Sequence, residues 1–429
     1  MAEKTFTKIT QELRGEIQTP GDKSISHRAI MLGSLAEGTT VIDNFLDGED
    51  CLRTIHIFQE LGVNISLNGT NVTIKSKGFR AFQEPTVPLY FGNSGTTARL
   101  MLGILASMPF YTVSYGDPHL TKRPMDRVIT PLKQMGAQIS GRQSGSYLPL
   151  STKAASLEGI HYEIPVKSAQ VKSAILLAGL FAKGETTVVE QAATRNHTEN
   201  MLKAFGAEIR SSGLTHTVTN ANMLQATNVT VPGDISSAAF FIVAAAIVPH
   251  SSIVLKNVGL NSTRTGIIDV IKTMGGDITI SNEQEISGEW LGDLHISYTS
   301  LNGITIDAAL IPKLIDEIPI IALLASQAEG TTIIKNAEEL RVKETDRIHA
   351  VVNVLSTLGV DIEEKPDGMI IHGKATLTGG KIKSYSDHRI AMMGVIASLI
   401  SENHVKIDDV SSIAISYPSF FEHLEQLKK

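Results

Sequence analysis

The sequence has a single cysteine, Cys51, in 429 residues. That excludes internal disulfides and cysteine zinc sites, and it fits a reducing compartment, the cytoplasm. There is no excess of basic residues: the formal net charge is −6 and the pI about 6.1. A nucleic-acid binder driven by phosphate contacts is therefore not expected. No apolar run reaches the ~18 residues that a membrane span needs. The opening Met1-Ala2-Glu3-Lys4 has no signal-peptide character, and no low-complexity or long linker segment appears. What remains, 42% hydrophobic and 19% charged, is ordinary for a globular chain in water.

What is present is repetition. A five-residue signature recurs as Leu61-Gly62-Val63-Asn64-Ile65, Met135-Gly136-Ala137-Gln138-Ile139, Phe205-Gly206-Ala207-Glu208-Ile209, Met274-Gly275-Gly276-Asp277-Ile278 and Leu358-Gly359-Val360-Asp361-Ile362. Spacings of roughly 70–85 residues are too long for a solenoid, so globular clusters are expected. Upstream of each lies a β-branched segment such as Thr39–Ile42, Thr186–Val189 or Thr331–Ile334. Ala-rich apolar helices precede several of them (175–182, 238–246, 318–325), and the glycine marks the left-handed cap of an amphipathic helix. A sixth copy begins at Val405–Ile407 and runs out at Lys429, and the segment from Lys4 to Ile17 has the character to supply its missing strands.

The fold class is thus α/β, with six units grouped as two domains of three. Residues 1–19 and 234–429 would form the first, discontinuous domain, and residues 20–233 the second. The crossings fall at Pro20-Gly21 and Pro232-Gly233, Pro-Gly steps able to hinge a two-domain body over a substrate.

Functional signals gather at loops and helix starts. Gly21-Asp22-Lys23-Ser24-Ile25-Ser26-His27-Arg28 opens an apolar helix with a cation and small polar residues, as an anion site requires, although an ordinary capped helix looks the same. Gly92-Asn93-Ser94-Gly95-Thr96-Thr97-Ala98-Arg99 lets backbone approach a ligand closely, with a helix beginning at the threonines. Arg123 stands before Pro124, a candidate helix start. Lys343 and Arg347 are four apart and would share a helical face, with Glu344 beside them as a proton donor; a surface helix laced with salt bridges is the bland alternative. Ser386-Asp387-His388-Arg389 precedes a further apolar helix. Asp316 and Glu317 sit in an apolar stretch, where a carboxylate needs a partner or a raised pKa and suits a general base. No His, Cys or carboxylate group shows metal-ligand spacing along the chain. Five cations in an acidic protein, Lys23, Arg123, Lys343, Arg347 and Arg389, all at equivalent ends of repeated units, point to a small polyanion.

With GDKSISHR (21–28), GNSGTTARL (92–100), KRPMDR (122–127), SAQVKSA (168–174), RVKETDR (341–347) and SDHRIAM (386–392) together, the whole chain resembles the enolpyruvyl transferases, in particular the branch acting on shikimate 3-phosphate. The resemblance implies an inside-out α/β barrel in each domain, built of three βαβαββ units. It implies transfer of the enolpyruvyl group of phosphoenolpyruvate to the 5-hydroxyl of shikimate 3-phosphate, without cofactor or metal, by a cytoplasmic monomer. Carried over residue by residue, Lys23, Ser24, Arg28, Ser168, Ala169, Gln170, Arg195, Asp316 and Lys343 would contact shikimate 3-phosphate. Lys23, Asn93, Gly95, Thr96, Arg123, Gln170, Glu344, Arg347 and Arg389 would contact phosphoenolpyruvate. Asp316 would be the base and Glu344 the acid, with Lys23 the alternative proton donor.

Leu100 and Ile415 depart from the common bacterial pattern, which has a proline and a lysine there. Four short patterns (21–23, 168–172, 195–199 and 261–264) resemble the glyphosate-tolerant class instead, so glyphosate is expected to compete weakly. Gly95 is retained where some tolerant members carry alanine. The sister activity on UDP-N-acetylglucosamine is the nearer alternative, but its usual loop cysteine has no counterpart in 115–122. A non-catalytic anion-binding protein on the same repeat is the other, and it should lack Asp316 and Glu344.

Overall fold

In the computed structural model, residues 3–220 and 223–428 are described. Met1 and Ala2 of the leader reading, and the terminal Lys429, lie outside them. The strands form six small sheets, and each begins with a parallel pair followed by antiparallel partners. Glu37–Asp43, for example, pairs in parallel with Val229–Thr230 and antiparallel with Asn71–Lys77, which pairs with Asn64–Asn68. The order recurs around Thr112–Tyr115, Thr186–Val189, Ser252–Gly259 and Gly330–Ile334. Described by compactness, the chain forms two units. One comprises Met1–Pro20, Pro232–Glu285 and Trp290–Lys429, and the other Gly21–Val231 with Ile286–Glu289. Nothing in the sequence pattern marks that last four-residue hairpin tip.

Helices lie inside each unit and sheets outside. Lys23–Leu35, Gly95–Leu105 and Ala169–Gly179 fill the core of the second unit, and Ile235–Ile247, Ile318–Ser326 and His388–Ser398 that of the first. Every residue of Ile235–Ile247 is buried, which follows from a sequence, ISSAAFFIVAAAI, that has no polar face to give to water. Strands such as Tyr147–Lys153 alternate buried and exposed instead, as expected of sheets covered on one side. Small residues bring the helices close: a Cβ on Gly103 would stand 2.2 Å from the carbonyl oxygen of Ala174 on the neighbouring helix.

The signature glycines behave as the repeat implies. Gly62, Gly136, Gly206, Gly275 and Gly359 have φ of +87°, +100°, +79°, +85° and +95°, each ending an outer helix in the left-handed region. The segment expected to complete the sixth copy is shared between two sheets. Lys4–Phe6 pairs with Val405–Ile407, whereas Arg14–Gln18 runs parallel to Ser252–Lys256 in the fourth sheet.

Candidate active site

In the unit holding residues 232–285 and 290–428, the chemistry gathers around one arginine. Arg347 opens the helix Arg347–Thr357, and its side chain is 2% exposed. Its Nε donates to Asp387 Oδ2 at 2.8 Å, its Nη2 to Glu344 Oε2 at 2.7 Å, and its Nη1 to Asp316 Oδ1 at 3.4 Å. Burial works to lower its pKa, but Asp387 first, then Glu344 and Asp316, outweigh that and hold it above the ordinary arginine value. Asp387 caps the helix His388–Ser398 by accepting from Arg389 N at 2.8 Å, and Arg389 Nη1 donates to the Asp316 carbonyl at 3.0 Å. The expected base and acid, Asp316 and Glu344, therefore share one guanidinium, and both remain partly exposed, 16% and 29%.

Lys343 and Arg347 do not share a helical face. A 3-10 turn spans Glu338–Val342, Lys343 is extended, and the helix starts only at Arg347 because Asp346 caps it, accepting from His349 N at 3.1 Å. Nor is this a surface helix laced with salt bridges. Arg341 does that work, donating to Asp346 at 2.7 Å and Glu364 at 3.0 Å, while Arg347 is enclosed.

In the other unit the predicted residues sit at the N-terminal ends of its three buried helices. Asp22 caps the first, accepting from Ile25 N at 2.9 Å, and Lys23 begins it, ion-paired to Asp50. Ser94 caps the second through Thr97 N at 3.1 Å, so that helix starts at Gly95, before the threonines. Ser168 caps the third. Side chains tie these ends together. Gln170 Oε1 accepts from Arg99 Nη1 at 2.7 Å while its Nε2 donates to Thr96 Oγ1 at 3.0 Å. Arg28 reaches Ser24 O at 2.9 Å, Ser173 Oγ at 2.8 Å and Thr198 Oγ1 at 2.6 Å. Its burial, foremost, lowers its pKa to about 10, against the pull of Glu199 and Asp22.

Arg123 does not precede a helix-starting proline. It closes a 3-10 turn at Leu120–Lys122, and the helix Asp126–Gln134 begins later, with proline inside it at Pro131. Arg123 Nη1 points at Asn93 O, 3.5 Å away, and a Cβ on Gly95 would meet Arg123 Nη2 at 2.9 Å and Arg99 Nη1 at 3.0 Å. Ala169 is the first residue of its helix, and Arg195 lies two residues before the helix His197–Ala204.

One group does have ligand geometry that linear spacing hid. Glu190, Glu199 and His216 bring ligand atoms within 4.8 Å of one another. The Lys172 ammonium already sits among them, 2.9 Å from Glu190 and 2.7 Å from Glu199, so the place of a cation is taken by a side chain.

The model of the family described as EPSP synthase (3-phosphoshikimate 1-carboxyvinyltransferase) matches residues 7–424. The chain belongs to the EPSP synthase family. It is 58% identical over 421 residues to a 3-phosphoshikimate 1-carboxyvinyltransferase of Oceanobacillus iheyensis, covering 98% of each chain. It is 56% identical over 423 residues to that of Bacillus velezensis, covering 98% of this chain and 99% of the relative. Among solved structures, an EPSP synthase from Acinetobacter baumannii superposes with a TM-score of 0.90 at 43% identity, covering 99% of this chain and 97% of that one.

Against this EPSP synthase frame, sequence reasoning left out Asp387, Arg99, Asp50, Thr198 and the partners of Lys172. Asp387 and Arg99 lay inside quoted motifs, and either could have been found by asking what holds a buried arginine or an amide in place. Lys172 carried its own signal: an ammonium within the otherwise apolar AQVKSAILLAG helix demands buried acids.

Proposed function

We propose that the chain transfers the enolpyruvyl group of phosphoenolpyruvate to the 5-hydroxyl of shikimate 3-phosphate, releasing phosphate and forming 5-enolpyruvylshikimate 3-phosphate. In this reading the two compact units are its domains. The observation that carries it is the pairing of Asp316 and Glu344 on the one buried Arg347, with Arg389 on the Asp316 carbonyl, in a chain of the EPSP synthase family. A non-catalytic relative would have no use for such a pair.

Asp316 takes the proton of the 5-hydroxyl, and Glu344, or Lys23 in its place, protonates C3 of the enolpyruvate. The cationic C2 is captured by the hydroxyl oxygen, giving a tetrahedral adduct. Loss of a methyl proton and departure of phosphate then restore the enol ether. Arg123, Lys343, Arg347, Arg389 and Lys23 stabilise the phosphate and carboxylate charges, which is where fixed cations lower the barrier most. Arg28, Ser24, Ser168, Ala169, Gln170 and Arg195 hold shikimate 3-phosphate, and Asn93, Gly95 and Thr96 the phosphoenolpyruvate. In this reading the working form is a cytoplasmic monomer. Glyphosate is a weak competitor for the phosphoenolpyruvate position.

Phosphate release from phosphoenolpyruvate, followed with shikimate 3-phosphate and separately with UDP-N-acetylglucosamine, tests the reading. Release with the first alone is expected. Release with the sugar nucleotide, or with neither, overturns it.

A further inference from the structure

Lys172 is fully buried on the helix Ala169–Gly179, a place where an ammonium without partners would be very costly. Its Nζ contacts Glu190 Oε2 at 2.9 Å, Glu199 Oε1 at 2.7 Å and the Thr194 carbonyl at 3.4 Å. Two of these three partners are the two ends of one short segment, residues 194–199. Arg195 follows the first and Thr198 precedes the second. Thr198 Oγ1 accepts from Arg28 Nε at 2.6 Å and lies 2.6 Å from Ser173 Oγ, which accepts from Arg28 Nη2 at 2.8 Å. Glu190 secures the far side: Thr194 Oγ1 donates to it, and His216 Nε2 stands 3.1 Å away with Ser211 Oγ 3.0 Å from its other ring nitrogen.

We propose that Lys172 is a positioning residue for shikimate 3-phosphate. By clamping both ends of segment 194–199 it fixes Arg195 and, through Thr198, the guanidinium of Arg28. A point charge suits this task, because an ammonium accommodates two carboxylates and a carbonyl in different directions at once. It leaves no place for a metal, since the ammonium already stands between the acids that could ligate one. The inference rests on reading Arg195 and Arg28 as contacts of the substrate phosphate, and it adds the buried group that holds them. Misplacing such contacts should weaken binding of one substrate while leaving the chemical step intact.

Steady-state kinetics on the full chain provide the test, with circular dichroism to report folding. Lys172→Met should raise KM for shikimate 3-phosphate at least about tenfold while kcat and KM for phosphoenolpyruvate move less than about threefold. Propylammonium should lower the raised KM of Lys172→Ala and leave the parent unaffected, a rescue that generalised loosening would not give. A folded Lys172→Met with an unchanged KM for shikimate 3-phosphate, or with both KM values rising in parallel, overturns the proposal. Where Lys172→Met does not fold, Glu199→Gln keeps the side-chain size, removes the charge at one end of the clamped segment and carries the same readings. Arg195→Lys separates the two levels. If its KM for shikimate 3-phosphate stays at the parent value, the contact reading fails and the clamp falls with it. If that KM rises while Lys172→Met and Glu199→Gln are silent, the clamp alone is wrong.

Discussion

Glu344 and Asp316 differ from ordinary surface acids in having a shared, enclosed cation, Arg347, that keeps each carboxylate aimed. Replacing Glu344 by Gln preserves the acceptor oxygen facing Arg347 Nη2 at 2.7 Å but removes the proton that the proposed acid would transfer. Turnover should drop by roughly 10²–10⁴ with shikimate 3-phosphate binding retained. Calorimetry showing binding lost as severely as turnover would make Glu344 a structural partner of Arg347 instead. A second residue sets a pH limit. His27 is fully enclosed, with Nδ1 2.8 Å from Thr54 Oγ1, and burial foremost pushes its pKa down to about 3. In the unfolded chain a histidine titrates near 6.5. Between those values the unfolded state binds a proton that the folded state refuses, so stability is complete above about pH 6.5 and is lost as pH falls toward 3. The full loss is about 5 kcal/mol at ~1.4 kcal/mol per pKa unit. His27→Asn can keep a hydrogen bond to Thr54 without titrating. Urea midpoints measured from pH 7 down to pH 4 should fall less steeply in the variant; parallel curves would assign the acid loss to other groups.

The six buried helices are alike in sequence character but not in how their N-terminal ends are closed. In the first unit Asp234 and Asp387 are caps bound by Arg264 at 3.2 Å and Arg347 at 2.8 Å, and Glu317, before the third helix, accepts from Ser236 Oγ, itself a partner of Arg264. In the second unit Asp22 caps one helix with a carboxylate, but Ser94 and Ser168 are neutral caps of the other two. A helix N-terminus carries about half a positive charge, so serine caps leave that field largely intact, whereas carboxylate caps offset it. Ser94→Asp should preserve the helix, since both residues cap well, yet raise KM for phosphoenolpyruvate by about tenfold or more through repulsion. An unchanged KM would place the anion elsewhere. This contrast also marks what the sequence could and could not tell. Helix and strand positions were legible because all-apolar runs, β-branched strands and signature glycines are local patterns. The break between Lys343 and Arg347 was not, because like spacing suggests one helix until Asp346 is recognised as a cap. The clamp around Lys172 was hidden for another reason: Glu190, Glu199 and His216 come from separate elements, joined only by folding.

At the scale of the whole molecule, repeats are completed by chain from elsewhere. Val229–Thr230, following the third copy, supplies the parallel strand beside Glu37–Asp43 of the first. Arg14–Gln18 does the same for Ser252–Lys256 of the fourth, and Lys4–Phe6 serves Val405–Ile407 of the sixth. One short N-terminal segment thus finishes two sheets of one unit, and it brings Leu13 and Ile17, 0% and 3% exposed, into that unit's core. Burying two such side chains is worth about 3–6 kcal/mol, and the lost ladder bonds add to it. Deleting residues 1–18 should therefore leave Ser252–Gly259 and Val405–Ile407 with exposed edges and a depleted core behind them. Amide exchange in those strands should accelerate at least about 100-fold, since 1.4 kcal/mol is a factor of ten. Thr112–Tyr115 and Thr186–Val189, whose sheets draw every strand from residues 89–218, should keep their protection. If exchange accelerates equally in all six sheets, the two units unfold as a single cooperative body, and the N-terminal strands hold together the protein rather than one half of it.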